Sequence, residues 1–318
     1  MSKIKYIWYY FKSIELINLQ QLATAKFLLF SILFFTTSCS TSRKTKSAAN
    51  TEKFDIYLLI GQSNMAGRGE VTLAERDTLQ NAYLFNGTGW IPAANPFNKY
   101  STVRKSLSIQ KLGPAYSFAK ELAACVNKKI GLVVNAKGGT KIEWWEKGYT
   151  GQNDFDLYEK AVDQMKKAES FGKLKGIIWH QGESNQGDPE HYMPLLKKLV
   201  EDLRNDLGEN VYFLAGELGK WRNSSMKINR VIDNIPSEIS NADFVNTNGL
   251  TPLHGDSTNP HFDNRSQLIL GRRYADKVLE KIYSLKPCKN KSISLLADIC
   301  LLASGFRLKV FHMITIWN

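Results

Sequence analysis

The chain has 318 residues, of which 43% are hydrophobic and 23% are charged, a balance typical of a globular protein. This composition excludes a disordered or collagen-like chain. The formal net charge is +12, but residues 1–50 contribute +6 and residues 284–318 contribute +4, which leaves only +2 for residues 51–283. Because the basic charge lies at the two ends, the composition does not favour a nucleic-acid partner.

The N-terminal part has the pattern of a bacterial export segment. Residues 27–35 form an uncharged apolar run, and the small polar residues 36–38 precede Cys39. This run is too short to span a membrane as a helix. The pattern predicts an export signal over residues 1–39, with lipidation of Cys39 and a periplasmic or membrane-anchored lipoprotein as the main interpretation. Plain secretion and an uncleaved anchor are the alternatives. Residues 40–53 are expected to form a flexible tether.

Three more cysteines follow, and they are Cys125, Cys288 and Cys300. They show no CxxC spacing and do not cluster with histidines, so the sequence indicates neither a metal site nor a disulfide framework. Cys125 is expected to be a small core residue within a helix. The tail over residues 284–318 leaves three possibilities open, namely a docked helix, a membrane-associated segment and an artefact of translation.

Between Phe54 and Tyr283, short apolar runs rich in strand-forming residues alternate with longer helical patterns. The predicted strands are Phe54–Ile60, Ala82–Phe85, Ile130–Asn135, Gly176–His180, Val211–Gly216 and Phe244–Thr247. The predicted helices are Ala115–Cys125, Phe155–Glu169, Glu190–Leu207 and Arg265–Tyr283. This alternation predicts one three-layer α/β domain over residues 54–283, with a parallel sheet covered on both faces. Ligands bind such a sheet beyond the carboxyl ends of its strands, so the segments that follow the strands are the candidate site.

The segment after the first strand contains a candidate nucleophile. Gln62, Ser63 and Asn64 follow Gly61 directly. A serine at the carboxyl end of a strand is well placed to attack a carbonyl while its own N–H group faces the developing oxyanion. The alternative is a turn that caps the next helix.

The segments after the third and fourth strands contain candidate oxyanion donors. Gly138 and Gly139 permit close approach of the backbone to a ligand, although an ordinary turn fits them equally well. Trp144 is compatible with a wall for sugar rings or with core packing. Gln181 can donate a side-chain N–H to developing negative charge, and Glu183 can tie the loop together. His180 is expected to be a packed imidazole.

A candidate general base precedes the last helix. His261 has Asp256 and Asp263 as neighbouring acids, which could orient it. Capping or packing is the alternative role for this histidine, and His254 is the second candidate for the base.

Four ordered blocks resemble one family. They are Gly61–Met65, Lys137–Thr140 with Trp144, Trp179–Ser184, and His261–Asp263 with Leu270–Ala275. Together they are similar to the sialate O-acetylesterase and acetylxylan esterase group, carbohydrate esterase family 6, within the SGNH hydrolases. The resemblance implies a flavodoxin-like fold and metal-free hydrolysis of O-acetyl groups on carbohydrate. It also implies that Ser63 is the nucleophile, that His261 is the base, and that no cofactor is required.

The resemblance further implies an oxyanion hole and substrate contacts. The oxyanion donors would be the Ser63 N–H, the loop at Gly138 and Gly139, and the Gln181 side chain. The substrate-binding residues would be Gln62, Asn64, Trp144 and Glu183.

One position departs from the family pattern. The family places its triad acid three residues before the histidine, where this chain has Thr258. Asp256, five residues before His261, is therefore the expected acid. Asp263, a backbone carbonyl or an impaired site are the alternatives.

The predicted function is a serine carbohydrate O-acetylesterase that acts on sialic acid or acetylated xylan and oligosaccharides through an acetyl-enzyme. Two alternatives stay open, namely a catalytically impaired surface lipoprotein that binds glycans and an esterase that acts on non-sugar short-chain acyl esters.

Overall fold

The computed structural model describes residues 53–151, 156–208 and 210–288. The predicted export signal, the lipidation site Cys39 and all of the tether except Lys53 lie outside the described residues, as do residues 289–318 of the tail. Within the described residues, no helix is long and apolar enough to cross a membrane.

Seven strands form a single sheet within the residues that the structure describes. They are β1 (Phe54–Gly61), β2 (Ala82–Phe85), β3 (Trp90–Pro92), β4 (Ile130–Ala136), β5 (Gly172–His180), β6 (Tyr212–Gly216) and β7 (Ala242–Val245). Their order across the sheet is β3-β2-β4-β1-β5-β6-β7. All neighbours are parallel except β2 and β3, which form an antiparallel pair at the edge.

The predicted α/β fold is confirmed, with differences in detail. β5 begins at Gly172, four residues before its predicted start, and β7 spans Ala242–Val245, two residues earlier than predicted. The short edge strand β3 was not predicted, because three residues that include a proline give too weak a strand signal. The order also differs from the flavodoxin order, since β4 rather than β2 lies beside β1. The chain leaves β1 for one side of the sheet and later crosses to the other, so the carboxyl end of β1 lies at the switch point where ligands bind.

Seven helices cover the sheet within the described part of the chain. They are α1 (Ser63–Ala66), α2 (Ala115–Cys125), α3 (Leu157–Glu169), α4 (Tyr192–Leu207), α5 (Ser225–Asp233), α6 (Ile235–Glu238) and α7 (Asn264–Tyr283). The four long helices match the predicted ones within two residues at each end. The three shorter helices were not predicted, because they are too short for a clear helical period.

The alternation of side chains along β1 divides the core into two halves. Ile56, Leu58 and Ile60 belong to the half that packs on α3, α4, α5 and α6. Tyr57 and Leu59 belong to the half that packs on α2 and α7. Because both faces of β1 are fully buried, its sequence is a continuous apolar run, as expected for a central parallel strand.

The cysteine prediction needs a correction. Cys125, expected to be a small core residue, forms a disulfide with Cys288, and their Cα atoms lie 5.6 Å apart. The two residues are 163 positions apart in the chain, so spacing gave no sign of the pair. The packing of α2 on α7 brings them together. Gly271 makes this packing close, because a Cβ atom there would lie only 2.1 Å from the Pro114 carbonyl oxygen.

Candidate active site

The candidate nucleophile Ser63 follows the carboxyl end of β1, where Gly61 pairs with His180 of the neighbouring parallel strand β5. Gly61 has a φ of +131°, and a Cβ atom built on it would lie 2.2 Å from the carbonyl oxygen of His180. Only glycine fits such an approach. The chain then turns into α1, so that Ser63 is the first helical residue, and its N–H group has no acceptor within the helix. The tight turn thus places both the hydroxyl and the N–H group of Ser63 at the carboxyl edge of the sheet.

Ser63 and His261 form a hydrogen-bonded pair. The Ser63 Oγ lies 3.0 Å from the His261 Nε2, although the two residues are 198 positions apart in the chain. If Ser63 donates, the imidazole is the tautomer that carries its proton on Nδ1. Burial, reinforced by the positive charges of Arg68 and Arg222, lowers the pKa of His261 to about 4. At neutral pH the imidazole is therefore uncharged and able to accept the serine proton.

The main chain around His261 is held by hydrogen bonds on every side. The His261 N–H donates to the Asn259 Oδ1 at 3.0 Å, and its carbonyl accepts the Leu253 N–H at 2.7 Å. The buried amide of Asn64 bonds to both neighbours of the histidine. Its Nδ2 donates to the Pro260 carbonyl at 3.0 Å, and its Oδ1 accepts the Phe262 N–H at 3.2 Å.

The structure does not bring the predicted triad acid to the base. Asp256 is exposed, and its Oδ1 accepts the N–H and the hydroxyl of Thr258 at 2.9 and 2.7 Å. These bonds stabilise the carboxylate and lower the pKa of Asp256. Asp263, the alternative acid, caps α7 by accepting the Ser266 N–H at 2.7 Å. Among the described residues, the His261 ring has Ser63 as its hydrogen-bond partner and no carboxylate.

The glycine pair lies next to Ser63. A Cβ atom built on Gly138 would lie 3.3 Å from the Cβ atom of Ser63. Both Gly138 and Gly139 line the cavity that contains Ser63 and His261. Within the described residues, their N–H groups have no acceptor, so they remain available to a developing oxyanion.

Gln181 lies elsewhere than its predicted role requires. Its side chain is fully buried, and its Nε2 donates to the Thr140 carbonyl at 2.9 Å and to the Asn185 Oδ1 at 2.8 Å. The same Asn185 Oδ1 accepts the Ile142 N–H at 3.0 Å. Both amide hydrogens of Gln181 thus have acceptors: one bond joins the loop after β5 to Thr140 on the loop after β4, and the other holds Asn185 within the loop after β5. This differs from the predicted oxyanion donor, because no hydrogen of the amide remains free.

Two of the four predicted substrate-binding residues line the cavity, and the other two do not. Gln62 and Glu183 line the cavity. Asn64 is completely buried beneath it and donates to the Glu183 Oε1 at 2.5 Å. Trp144 does not line the cavity and instead packs against the core half that contains α3 and α4. The sequence could not separate these cases, because a tryptophan in a loop fits either a sugar wall or a core.

Three cationic residues of the cavity were missed by sequence reasoning. Arg68, Lys105 and Arg222 line a space of about 450 Å³ beside Ser63 and His261. Arg68 follows the first family block by only three residues, which was a weak signal. Lys105 and Arg222 lie in loops without any motif, so only the fold shows that they reach the site.

The remaining histidine candidates lie outside this cavity. His180 is fully buried, and its Nδ1 lies 2.8 Å from the Tyr274 hydroxyl. Burial lowers the pKa of His180 to about 3, as expected for a packed neutral imidazole. His254 is exposed in a 3₁₀ turn with a φ of +59°. Among the described residues, no group of three or more His, Cys, Asp or Glu side chains is arranged to hold a metal ion.

Comparison with known proteins relates the chain to carbohydrate esterases. Residues 53–280 match the model of a family described as carbohydrate esterase, sialic acid-specific acetylesterase. A probable carbohydrate esterase of Arabidopsis thaliana is 29% identical over 259 residues, which cover 70% of this chain and 90% of the relative. The X-ray structure of that Arabidopsis protein has a TM-score of 0.63 at 26% identity and covers 72% of this chain and 99% of its own. A carbohydrate acetylesterase of Xanthomonas citri shares the fold, with a TM-score of 0.55 at 19% identity over 73% of this chain and 57% of its own.

Proposed function

Because the chain belongs to the carbohydrate esterase family of sialic acid-specific acetylesterases, and is therefore a carboxylic ester hydrolase, we propose that it removes acetyl groups from O-acetylated sugars by serine catalysis. The proposed substrates are O-acetylated sialic acid and acetylated xylan or oligosaccharides. The observation that carries the mechanism is the 3.0 Å contact between the Ser63 Oγ and the His261 Nε2 at the edge of the cavity.

The proposed reaction has two half-reactions. His261 takes the proton of Ser63 as the serine oxygen attacks the acetyl carbonyl. The imidazolium then protonates the departing sugar oxygen, which leaves an acetyl group on Ser63. In the second half-reaction His261 deprotonates a water molecule that attacks the acetyl-enzyme, and acetate is released.

The oxyanion donors that we propose are the Ser63 N–H and the N–H groups of Gly138 and Gly139. They are supported by the closeness of Gly138 to Ser63 and by the lack of other acceptors for these groups among the described residues. Each such donor typically contributes about 2.7–4 kcal/mol to catalysis in enzymes of this type. Gln181 is not among the proposed oxyanion donors, because both hydrogens of its side-chain amide already have acceptors within the protein.

The test is acetate release by the purified full chain and by Ser63→Ala. The substrates are 9-O-acetyl sialic acid, acetylated xylan, a chromogenic acetate and the matching butyrate. We expect the wild type to release acetate and Ser63→Ala to lose at least about 10⁴-fold in rate, because the nucleophile is absent. Equal rates for acetate and butyrate without any sugar hydrolysis would instead favour an esterase of non-sugar esters.

One observation favours a second candidate function, namely glycan binding without efficient turnover. The His261 ring has no carboxylate partner among the described residues, and an imidazolium without that partner is less stable. Saturable binding of acetylated glycans by a wild-type protein that releases no acetate would support this candidate and contradict the esterase proposal.

A further inference from the structure

Arg68 follows Ser63 closely in the chain, and main-chain hydrogen bonds hold it on both sides. The Gly67 N–H donates to the Ser63 carbonyl at 3.0 Å. On the other side, Gly69 exchanges two hydrogen bonds with Leu112, at 3.0 and 2.9 Å. Because both neighbours are anchored, the backbone of Arg68 has a fixed position relative to the nucleophile.

The Arg68 guanidinium is fixed at one end and free at the other. Its Nη1 donates to the Gly67 carbonyl at 2.6 Å and to the Ile109 carbonyl at 3.2 Å. Within the residues that the structure describes, its Nη2 has no acceptor and its side chain forms no ion pair. Arginine holds its N–H donors in a rigid planar fork, so the bonds of Nη1 also set the direction of Nη2.

Gly138 leaves the space that the free end of this guanidinium occupies. A Cβ atom built on Gly138 would lie 2.6 Å from the Arg68 Nη2 and 3.3 Å from the Ser63 Cβ. The φ of Gly138 lies outside the left-handed region, so glycine is required here for the close approach rather than for the backbone conformation. The Arg68 Nη2 and the nucleophile thus lie on the same side of Gly138, whose N–H is a proposed oxyanion donor.

This arrangement suits the oxygen of an attacked acetyl group. The Arg68 Nη2 and the Ser63 Cβ can be no further apart than the sum of their distances from the point that they share beside Gly138. In the tetrahedral intermediate, the bonds Cβ–Oγ, Oγ–C and C–O join the Ser63 Cβ to the negatively charged oxygen. An oxygen with that reach can accept a hydrogen bond from Nη2 while it also accepts from the main-chain N–H groups.

The charge of Arg68 opposes one part of the reaction and favours another. After burial, Arg68 is the next cause that lowers the pKa of His261, so its charge disfavours the imidazolium that forms during attack. The negative charge on the acetyl oxygen develops in the same step. Arg68 stabilises that charge, because partial burial, which also lowers the pKa of Arg68, reduces the screening by water.

We propose that Arg68 is a catalytic residue that donates a charge-assisted hydrogen bond from Nη2 to the acetyl oxyanion. The inference rests on the proposed function and adds one residue to the same site. As the Ser63 Oγ bonds to the acetyl carbon, the serine proton passes to His261 and the π electrons of the carbonyl move onto its oxygen. Arg68 keeps all its protons. When the carbonyl re-forms, the bond to the sugar oxygen breaks, and that oxygen takes the proton from His261.

Arg68→Met tests this role in the full chain, with the chromogenic acetate as substrate. Methionine keeps a long side chain but has neither charge nor donors. We expect kcat to fall by about 10²–10³-fold, the usual cost of one oxyanion donor, while KM changes far less. Because this ester carries no sugar, an arginine that only binds sugar would leave its hydrolysis unchanged. The midpoint of the acid-side fall in kcat/KM should also move to higher pH, since a charge that lowers the pKa of His261 is removed.

Arg222→Met is the matched comparison, because it removes a charge from the same cavity. Arg222 also lowers the pKa of His261, but it is not among the closest neighbours of Gly138. Its variant should raise the pH midpoint and lower kcat by less than about threefold, since it acts only at a distance. Arg76→Met, which changes an exposed residue outside the cavity, should alter neither quantity. Equal losses of kcat in Arg68→Met and Arg222→Met would overturn the inference, because the general positive charge of the cavity would then explain both.

Chemical rescue separates the hydrogen bond from a purely structural role. Arg68→Ala leaves room for a guanidinium ion, and urea is a neutral molecule of similar shape. Millimolar guanidinium should raise the kcat of Arg68→Ala at least about fivefold, whereas urea at the same concentration should not. The Tm of each variant shows whether it is folded.

Two further results would overturn the inference and leave the esterase intact, provided that the wild type releases acetate. One is a kcat of Arg68→Met within about threefold of the wild type. The other is a large loss of kcat that guanidinium does not restore in Arg68→Ala, which would assign Arg68 a structural role. Absence of acetate release by the wild type from every ester would instead refute the proposed function itself.

Discussion

The loops that follow β1 and β5 begin at the same edge of the sheet, and both are rich in polar residues. The polar side chains of the two loops have opposite roles. After β1, Ser63 lines the cavity and its hydroxyl is hydrogen-bonded to His261. After β5, Gln181 uses both amide hydrogens on Thr140 and Asn185 within the protein. A polar residue of a conspicuous motif therefore faces the substrate only where its hydrogen-bonding capacity is left free by its neighbours.

The largest effect in this comparison is expected at Asn64, which joins the two loops. It donates to Glu183 after β5 and bonds to the peptides on both sides of His261. Asn64→Ala should lower kcat on the order of 10²-fold, because a misplaced base fails to reach Ser63, while KM changes far less. The measurement is steady-state kinetics on the chromogenic acetate, below the melting temperature of the variant.

The control for Asn64→Ala is Asn86→Ala. The Asn86 Oδ1 accepts the N–H groups of Thr88 and Gly89 in the turn between β2 and β3, away from the cavity. It should lose some stability and keep its kcat. An unchanged kcat in Asn64→Ala would mean that the remaining bonds of the loop are enough to orient the base.

The next prediction is the pH dependence of kcat/KM, which follows from the surroundings of His261. Arg68 and Arg222 act on its imidazole, and among the described residues no carboxylate is bonded to it. His261 must be neutral to accept the serine proton, and its pKa is lowered to about 4 by burial first and by Arg68 and Arg222 second. We therefore expect kcat/KM for the chromogenic acetate to stay level from pH 7 to about pH 5. It should then fall with a midpoint near pH 4. A midpoint between pH 6 and 7 would indicate that a carboxylate approaches the imidazole during turnover.

Much of the fold could be predicted from the sequence, because β1, β4 and β5 are apolar runs and the long helices repeat their apolar residues at three and four. The pair Ser63 and His261 could also be predicted, since Ser63 follows the end of an apolar strand and His261 precedes the start of a long helix. Short elements such as β3 gave no periodic signal. The orientation of Asp256 depends on bonds within a turn, to Thr258, that residue identity alone does not fix.

The cationic residues of the cavity and the disulfide could not be predicted from the sequence for a different reason. Arg222 and Cys288 are placed by packing between segments that are far apart in the chain. Sequence spacing relates residues that lie close together in the chain, whereas these residues come close to their partners only in the folded protein. Gln181 shows the converse, because its motif was recognised while its two acceptors, Thr140 on the loop after β4 and Asn185 on its own loop, were not.

A smaller effect on catalysis and a clear effect on stability are expected for Gln181→Ala. The substitution leaves the buried Thr140 carbonyl and the Asn185 side chain each without one hydrogen bond. We expect a loss of about 2 kcal/mol in the free energy of unfolding, or about 4–8 °C in Tm. The kcat should fall by less than about tenfold, whereas loss of an oxyanion donor costs about 10²–10³-fold. A fall of that larger size without a change in Tm would restore Gln181 to the oxyanion hole.

The smallest effect is expected for Asp256→Asn, which removes the charge and keeps an oxygen that can accept from Thr258. Since the carboxylate is exposed and turned toward Thr258, kcat/KM should stay within about twofold of the wild type. Loss of a triad acid that contacts the base lowers kcat by about 10⁴-fold in a serine protease, so the two outcomes are far apart. A large fall, together with a pH midpoint above 6, would mean that the loop of residues 254–260 rearranges when substrate binds and delivers the carboxylate to His261. In that case the triad predicted from the sequence would form only in the substrate-bound enzyme. The hydrogen bonds of Asn64 to Pro260 and Phe262 would then stabilise the loop conformation of the free enzyme.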